Sequence, residues 1–229
     1  MKVLSFDSSS KTLSVAVLDD KDLLADVTIN IKKNHSITLM PAIDFLMQSI
    51  DLNPADLDRI VVAHGPGSYT GLRIAVATAK MLAYSLKIDL VGASSLYALA
   101  GATEFDGLLV PIIDARRNNV YAGFYENGRA VQGDQHMAFE TVLKIAKKYT
   151  KIAFVGEVDH FRDQIAENIP HAQMFPTLPS AYEIGKMGQD LEPVDVDAFV
   201  PTYLKRVEAE ENWLKDHKEL SAQDYIKRV

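Results

Sequence analysis

The 229 residues are 48% apolar, carry a net charge of −7 and include no cysteine. A chain of that length and apolarity has room for one large or two modest domains with a sizeable core, which excludes a disordered protein. The composition also excludes disulfides, thiolate metal sites, thiol nucleophiles and nucleic-acid binding by bulk charge.

The opening residues turn polar too early for a signal peptide, and no apolar run reaches membrane-spanning length. A soluble, cytoplasmic chain without membrane contact is expected. Residues 3–6 read as a strand, followed by the polar turn Asp7-Ser8-Ser9-Ser10-Lys11-Thr12. Residues 13–18 and 23–31 read as two further strands. The hydroxyl-rich turn is either an ordinary hairpin tip or a phosphate-grasping one.

Ser36 is a good N-cap for a helix over 36–50. Leu39, Ile43, Leu46 and Ile50 make one stripe at helical spacing, while Ile37, Met40 and Met47 lie off it. Only Asp44 is charged between Ser36 and Ile50. Such a helix has more apolar surface than one sheet covers.

Next come a short apolar strand at 59–63 and the stretch His64-Gly65-Pro66-Gly67-Ser68-Tyr69-Thr70-Gly71-Leu72-Arg73. Three glycines and a proline so close together make a turn, and Ser68 or Thr70 can cap the helix that follows. The unit reads strand, glycine loop, helix. It suits either an anion at a helix N-terminus or a tight turn that packs helix on sheet. It is neither a P-loop nor a dinucleotide fingerprint. In the helix, Leu72, Val76, Ala79, Ala83 and Leu86 form one stripe, with Ile74, Met81 and Tyr84 around the other side. Arg73 and Lys80 are its only charges before Lys87. Two helices this poor in charge predict either a shared partner face or burial within the monomer.

A strand at 90–93 and a helix capped by Ser94 lead to a junction at 103–107. A second series follows: strands at 108–113 and 120–125, an amphipathic helix at 139–149, a strand at 152–156 and a helix at 160–168. A proline-bearing loop and a last small helix at 181–189 complete it. Asp114-Ala115-Arg116-Arg117-Asn118-Asn119 joins the first two of these strands; Asn-Asn can turn a hairpin, and the arginines could meet an acid or a phosphate. Residues 205–229 are dense in charge of both signs, over a thin apolar seam that includes Trp213 and Leu220. They read as a surface helix or a docking tail. The pattern predicts an α/β protein of two related lobes, 1–103 and 104–204, with a charged helical tail.

Few working parts for chemistry are present. The six histidines include no i, i+4 pair of the kind that binds zinc on a helix. His64 beside the glycine loop is the best base, although a lone histidine at a strand end also has a structural role. Asp7 could orient water or hold a metal, but no local motif places a second acid near it. Asp7, Ser8, Gly65, Gly67 and Ser68 are weak nucleotide-binding candidates. No catalytic residue, metal site or cofactor is assigned.

Asp7-Ser8-Ser9, the His35-Ser36 opening with Met40-Pro41, the glycine stretch through Arg73 and Asp114-Ala115-Arg116-Arg117 occur together in this order. In these motifs the chain resembles the TsaB (YeaZ) family, bacterial subunits in the synthesis of N6-threonylcarbamoyladenosine at position 37 of tRNA. The resemblance covers most of 1–205. It implies a two-lobed actin-like fold of the sugar kinase/Hsp70 (ASKHA) type. It also implies a non-catalytic scaffold that binds the transferase TsaD through helices 36–50 and 69–86, with the ATPase subunit TsaE joining them. TsaD carries a His-x-x-x-His metal motif where this chain has His35 followed by Leu39, so a metal site is not implied here. The expected partner face comprises His35, Ile37, Met40, Met47, Arg73, Ile74 and Met81. A homodimer in isolation and tRNA contact only within the complex are further implications. The other readings are an ATP-binding or ATP-hydrolysing enzyme built on Asp7, Ser8 and the 65–71 loop, and a metalloprotease-like protein. The Asn118-Asn119 pair and the charged tail depart from the family pattern.

Overall fold

The computed structural model of the chain describes residues 1–31 and 34–205. The first sheet holds β1 (Lys2–Asp7), β2 (Thr12–Asp19), β3 (Asp22–Asn30), β4 (Arg59–Gly65) and β5 (Asp89–Ser94), ordered β3-β2-β1-β4-β5. The second holds β6 (Leu108–Asp114), β7 (Asn119–Glu126), β8 (Arg129–Ala138), β9 (Ile152–Gly156) and β10 (Gln173–Phe175), ordered β10-β9-β6-β7-β8. In each sheet the first strand pairs antiparallel with the second and parallel with the fourth. The two lobes therefore repeat one topology, as the two related lobes predicted from the sequence require.

Alternation along β1 explains its burial on both faces. Leu4 and Phe6 point into a core shared with α1 (His35–Ser49) and α2 (Tyr69–Leu86), while Val3 points into a second core with Ala181 and Ile184. Those two residues belong to α6 (Ala181–Gly188), so the chain returns to the first sheet after completing the second. Arg59 anchors the return. Its Nη1 donates to the carbonyls of Gly188, Gln189 and Leu191 at 3.0, 3.1 and 3.0 Å, which closes the C-terminal end of α6. Between the lobes, α3 (Ser95–Ala100) packs Ala98 on the first sheet, and Leu96 and Leu99 against Leu109, Ala153 and Val155 of the second. On the second sheet, α4 (Phe139–Ala146) and α5 (Arg162–Asn168) cover the core around Phe124 and Phe154.

Two strands were not expected. β8 is polar and mostly exposed, and β10 has only three residues within the loop assigned around Pro170 and Pro176. The cap of α1 is Asn34, not Ser36: its Oδ1 accepts from the Ser36 amide at 3.1 Å. The helical tail expected at 205–229 falls, beyond Lys205, outside the described residues.

Candidate functional site

The glycine loop runs from the end of β4 into α2, and the 7–12 turn lies directly against it. The Ser68 amide donates to the Ser9 carbonyl at 2.6 Å, and Ser8 Oγ donates to the Gly71 carbonyl at 2.9 Å. Ser68 Oγ caps α2 by accepting from the Gly71 amide at 3.3 Å. A Cβ on Gly67 would lie 2.4 Å from the Ser9 carbonyl oxygen, and one on Gly71 would lie 2.0 Å from that of Ser8. At Gly65 it would meet the Thr202 carbonyl oxygen at 2.3 Å. These three glycines therefore let backbones touch. An anion at this loop would need free amides, yet the Ser68 amide is already bonded and the turn presents carbonyl oxygens. Ser8 and Ser68 are engaged with the protein's own backbone.

Asp7 ends β1 with no exposed surface, and its Oδ1 accepts from the Ser9 amide at 2.6 Å. Oδ2 is buried without a partner. Burial pushes the Asp7 carboxyl up to about 6 against the pull of the Ser9 amide and, more weakly, of His35. His35 is half-buried, with Nε2 2.8 Å from the Ser10 carbonyl, so Nε2–H donates and the ring faces the turn. His64 likewise donates through Nδ1 to the Ala93 carbonyl at 2.8 Å, and its ring lies 5.5 Å from that of Phe199. Neither histidine meets Asp7 in a hydrogen bond or ion pair that would make a base–orienter couple. Among the described residues, no three of His, Cys, Asp and Glu are grouped to hold a metal ion.

A cleft of about 1240 Å³ opens between the lobes. Ser9, Ser10, Lys11 and His35 line one wall and Asp114, Arg116 and Glu157 the other. The β6–β7 connection holds Arg116, Arg117 and Asn118 at φ of 71°, 53° and 56°. The Asp114 carboxylate turns back to accept from the Arg116 amide at 2.8 Å. Sequence reasoning missed a polar group at the lobe junction. Asp134 on β8 accepts from Ser94 Oγ at 2.5 Å and from the Tyr125 hydroxyl at 3.0 Å. Burial raises the pKa of its carboxyl. No local signal marks it, because the half-buried positions Gln132, Asp134 and His136 of β8 are all polar.

α1 and α2 pack on the same core, and each turns apolar side chains outward. Ile37 is 69% exposed, Phe45 63%, Met81 70%, Tyr84 71% and Met40 45%. So much apolar surface on two neighbouring helices is unusual for an uncovered protein face. Of the other residues expected there, Arg73 is exposed and Ile74 half-buried. Met47, at 4% exposure, lies in the core and offers a partner no surface, because it follows Ile43 by four residues and shares its side of the helix.

A family model for TsaD, described as tRNA N6-adenosine threonylcarbamoyltransferase, matches residues 22–213. The chain is 39% identical to the tRNA threonylcarbamoyladenosine biosynthesis protein TsaB of Bacillus subtilis, over 95% of this chain and 100% of that protein. It is 29% identical to the Escherichia coli protein of the same name, over 56% of this chain and 58% of that one. A crystal structure from Pseudomonas aeruginosa, of a protein with similarity to peptidase YEAZ, superposes with a TM-score of 0.75 at 25% identity, covering 89% of this chain and 99% of that one. The ethanolamine utilization protein EutJ of Carboxydothermus hydrogenoformans shares the fold, with a TM-score of 0.51 at 12% identity over 82% of this chain and 90% of that one.

Proposed function

Because the chain belongs to the TsaB (YeaZ) family of tRNA threonylcarbamoyladenosine biosynthesis proteins, we propose that it is a cytoplasmic, non-catalytic subunit of that pathway, binding a TsaD-type transferase and, with it, a TsaE-type ATPase. The observation that carries this reading is the α1/α2 face, where Ile37, Met40, Phe45, Met81 and Tyr84 stand exposed together. These side chains still expose between 45% and 71% of their surface, so covering each contributes about 1–2 kcal/mol, enough for a handful to anchor a stable contact. The first lobe, 1–103, supplies this face. The same face serves self-association when the partner is missing, and tRNA is met only within the complex.

The double variant Met40→Glu/Met81→Glu tests the reading. It should fold, since both side chains are exposed, and it should lose capture of the cognate TsaD-type subunit. Unchanged capture would refute the assignment. Omitting each subunit in turn from a tRNA-modification assay then tests whether this chain is required.

The competing reading is an ATP-binding enzyme using Asp7, Ser8 and the glycine loop. The clamping of that loop against the 7–12 turn speaks against it. Calorimetry with Mg-ATP on the purified chain separates the two, since the scaffold reading expects little or no heat of binding. A metalloprotease would need a ligand set beyond His35, and tight zinc binding would revive that alternative.

A further inference from the structure

Arg73 is exposed but not loose. Its guanidinium carbon lies 4.3 Å from the centre of the Tyr69 ring, and its Nε donates to the Tyr203 hydroxyl at 3.1 Å. The two tyrosine rings lie 5.0 Å apart at 30°. These contacts occupy Nε and one flat side of the guanidinium. The two terminal nitrogens remain, and no carboxylate among the described residues pairs with them. A guanidinium already fixed in place loses less side-chain freedom when it pairs with an acid.

Tyr203 is delivered by the returning segment after α6, which is tied down at several points. Lys80 Nζ donates to the carbonyls of Asp197 and Phe199 at 2.8 and 3.0 Å. Phe199 enters the first core, and the Thr202 amide donates to the His64 carbonyl at 2.7 Å. Arg73 is thus held by one residue of its own helix and one 130 positions on, at the N-terminal end of the exposed α2 stripe that continues through Ala77, Met81 and Tyr84.

The charge pattern indicates what covers it. Lys80 is turned to the returning segment, and Asp44 on α1 is bonded to Gln48 at 2.8 Å. Among the described residues Arg73 is therefore a cation with no carboxylate partner, beside an apolar, methionine-bearing face. Its complement is a protein surface with one acid set among apolar side chains. A nucleic-acid backbone would instead meet mostly apolar groups on a chain of net charge −7.

We infer that Arg73, held between Tyr69 and Tyr203, takes a carboxylate from the protein that covers the α1/α2 face, so that the returning C-terminal segment builds part of that face. This rests on the reading above that a protein partner covers it. Affinity of the full chain for the cognate TsaD-type subunit, measured by calorimetry at low and high salt, provides the test. Arg73→Glu should weaken binding about 100-fold, Arg73→Lys about 10-fold and Tyr203→Phe about 3-fold. The salt dependence of wild-type binding should largely vanish in Arg73→Ala. Circular dichroism of each variant should match wild type. If Met81→Glu abolishes binding while Arg73→Glu binds like wild type, this inference is overturned and the partner face stands. If Met81→Glu also binds normally, both fail. If the Arg73 variants alter only the sedimentation of the chain by itself, the acid belongs to a second copy and the inference is likewise overturned.

Discussion

Gly71→Ala sets two well-measured tendencies against each other. Gly71 lies in the first turn of α2, where alanine in place of glycine ordinarily stabilises by about 1 kcal/mol. Here the new Cβ would sit 2.0 Å from the Ser8 carbonyl oxygen, which must recede to at least 3.4 Å for ordinary contact. That movement breaks the 2.9 Å bond from Ser8 Oγ to the Gly71 carbonyl and strains the 2.6 Å bond from the Ser68 amide to the Ser9 carbonyl. Each such bond contributes about 1 kcal/mol net, and a buried polar group left unpaired costs about 1–3 kcal/mol more. The losses exceed the helical gain, for a net destabilisation of about 3 kcal/mol. Urea unfolding followed by far-ultraviolet circular dichroism reads the difference. Gly133→Ala, where a Cβ meets nothing within 4 Å, is the control and should stay within about 0.5 kcal/mol of wild type. A Gly71→Ala protein as stable as wild type, or more so, would show that the turn and the loop are not clamped as described.

Three further outcomes are expected. Arg59→Met should cost about 3 kcal/mol, since it strands carbonyls at the end of α6; hydrogen exchange should show α6 opening first, and uniform protection would contradict this. Asp7→Asn should gain on wild type as pH rises: the folded carboxyl near 6 lies above its ordinary 3.8, so its contribution is fully present below 3.8 and lost as pH climbs through 6. The stability difference between the two proteins should change by about 3 kcal/mol between pH 3.5 and 7, and a constant difference across that window would refute the shift. Met47→Ala should cost about 3 kcal/mol in unfolding experiments, whereas Met40→Ala should change stability by under about 0.5 kcal/mol; equal effects would mean that the two methionines do not differ in burial.

Local pattern carried much of this structure. The strand, glycine loop and helix around residues 59–86 were legible because each signal lies within a few residues of the next. The low charge of α1 and α2 likewise announced surface in excess of what the sheet covers. Met47 was misplaced because the stripe through Leu39, Ile43 and Leu46 was drawn too narrowly for a helix whose buried arc is wide. Ser36 displaced Asn34 as the cap because both are good capping residues two positions apart. β8 escaped notice because it is an edge strand with little apolar alternation. Long-range pairings left no local trace. Nothing near Arg59 in sequence predicts carbonyl partners beyond residue 187, and nothing around Arg73 predicts Tyr203.

Ser5, Ser14, Arg59 and Lys80 all find partners in residues 181–199. A ribosome therefore releases the opening strands long before it makes the helix that shields Val3, Ala16 and Val61. Strands β6 to β10, contiguous between residues 108 and 175, have their pairing partners at hand much sooner. During synthesis the middle of this polypeptide is set to consolidate before its beginning, and the nascent first sheet keeps one greasy side bare until residues 181–188 have been made.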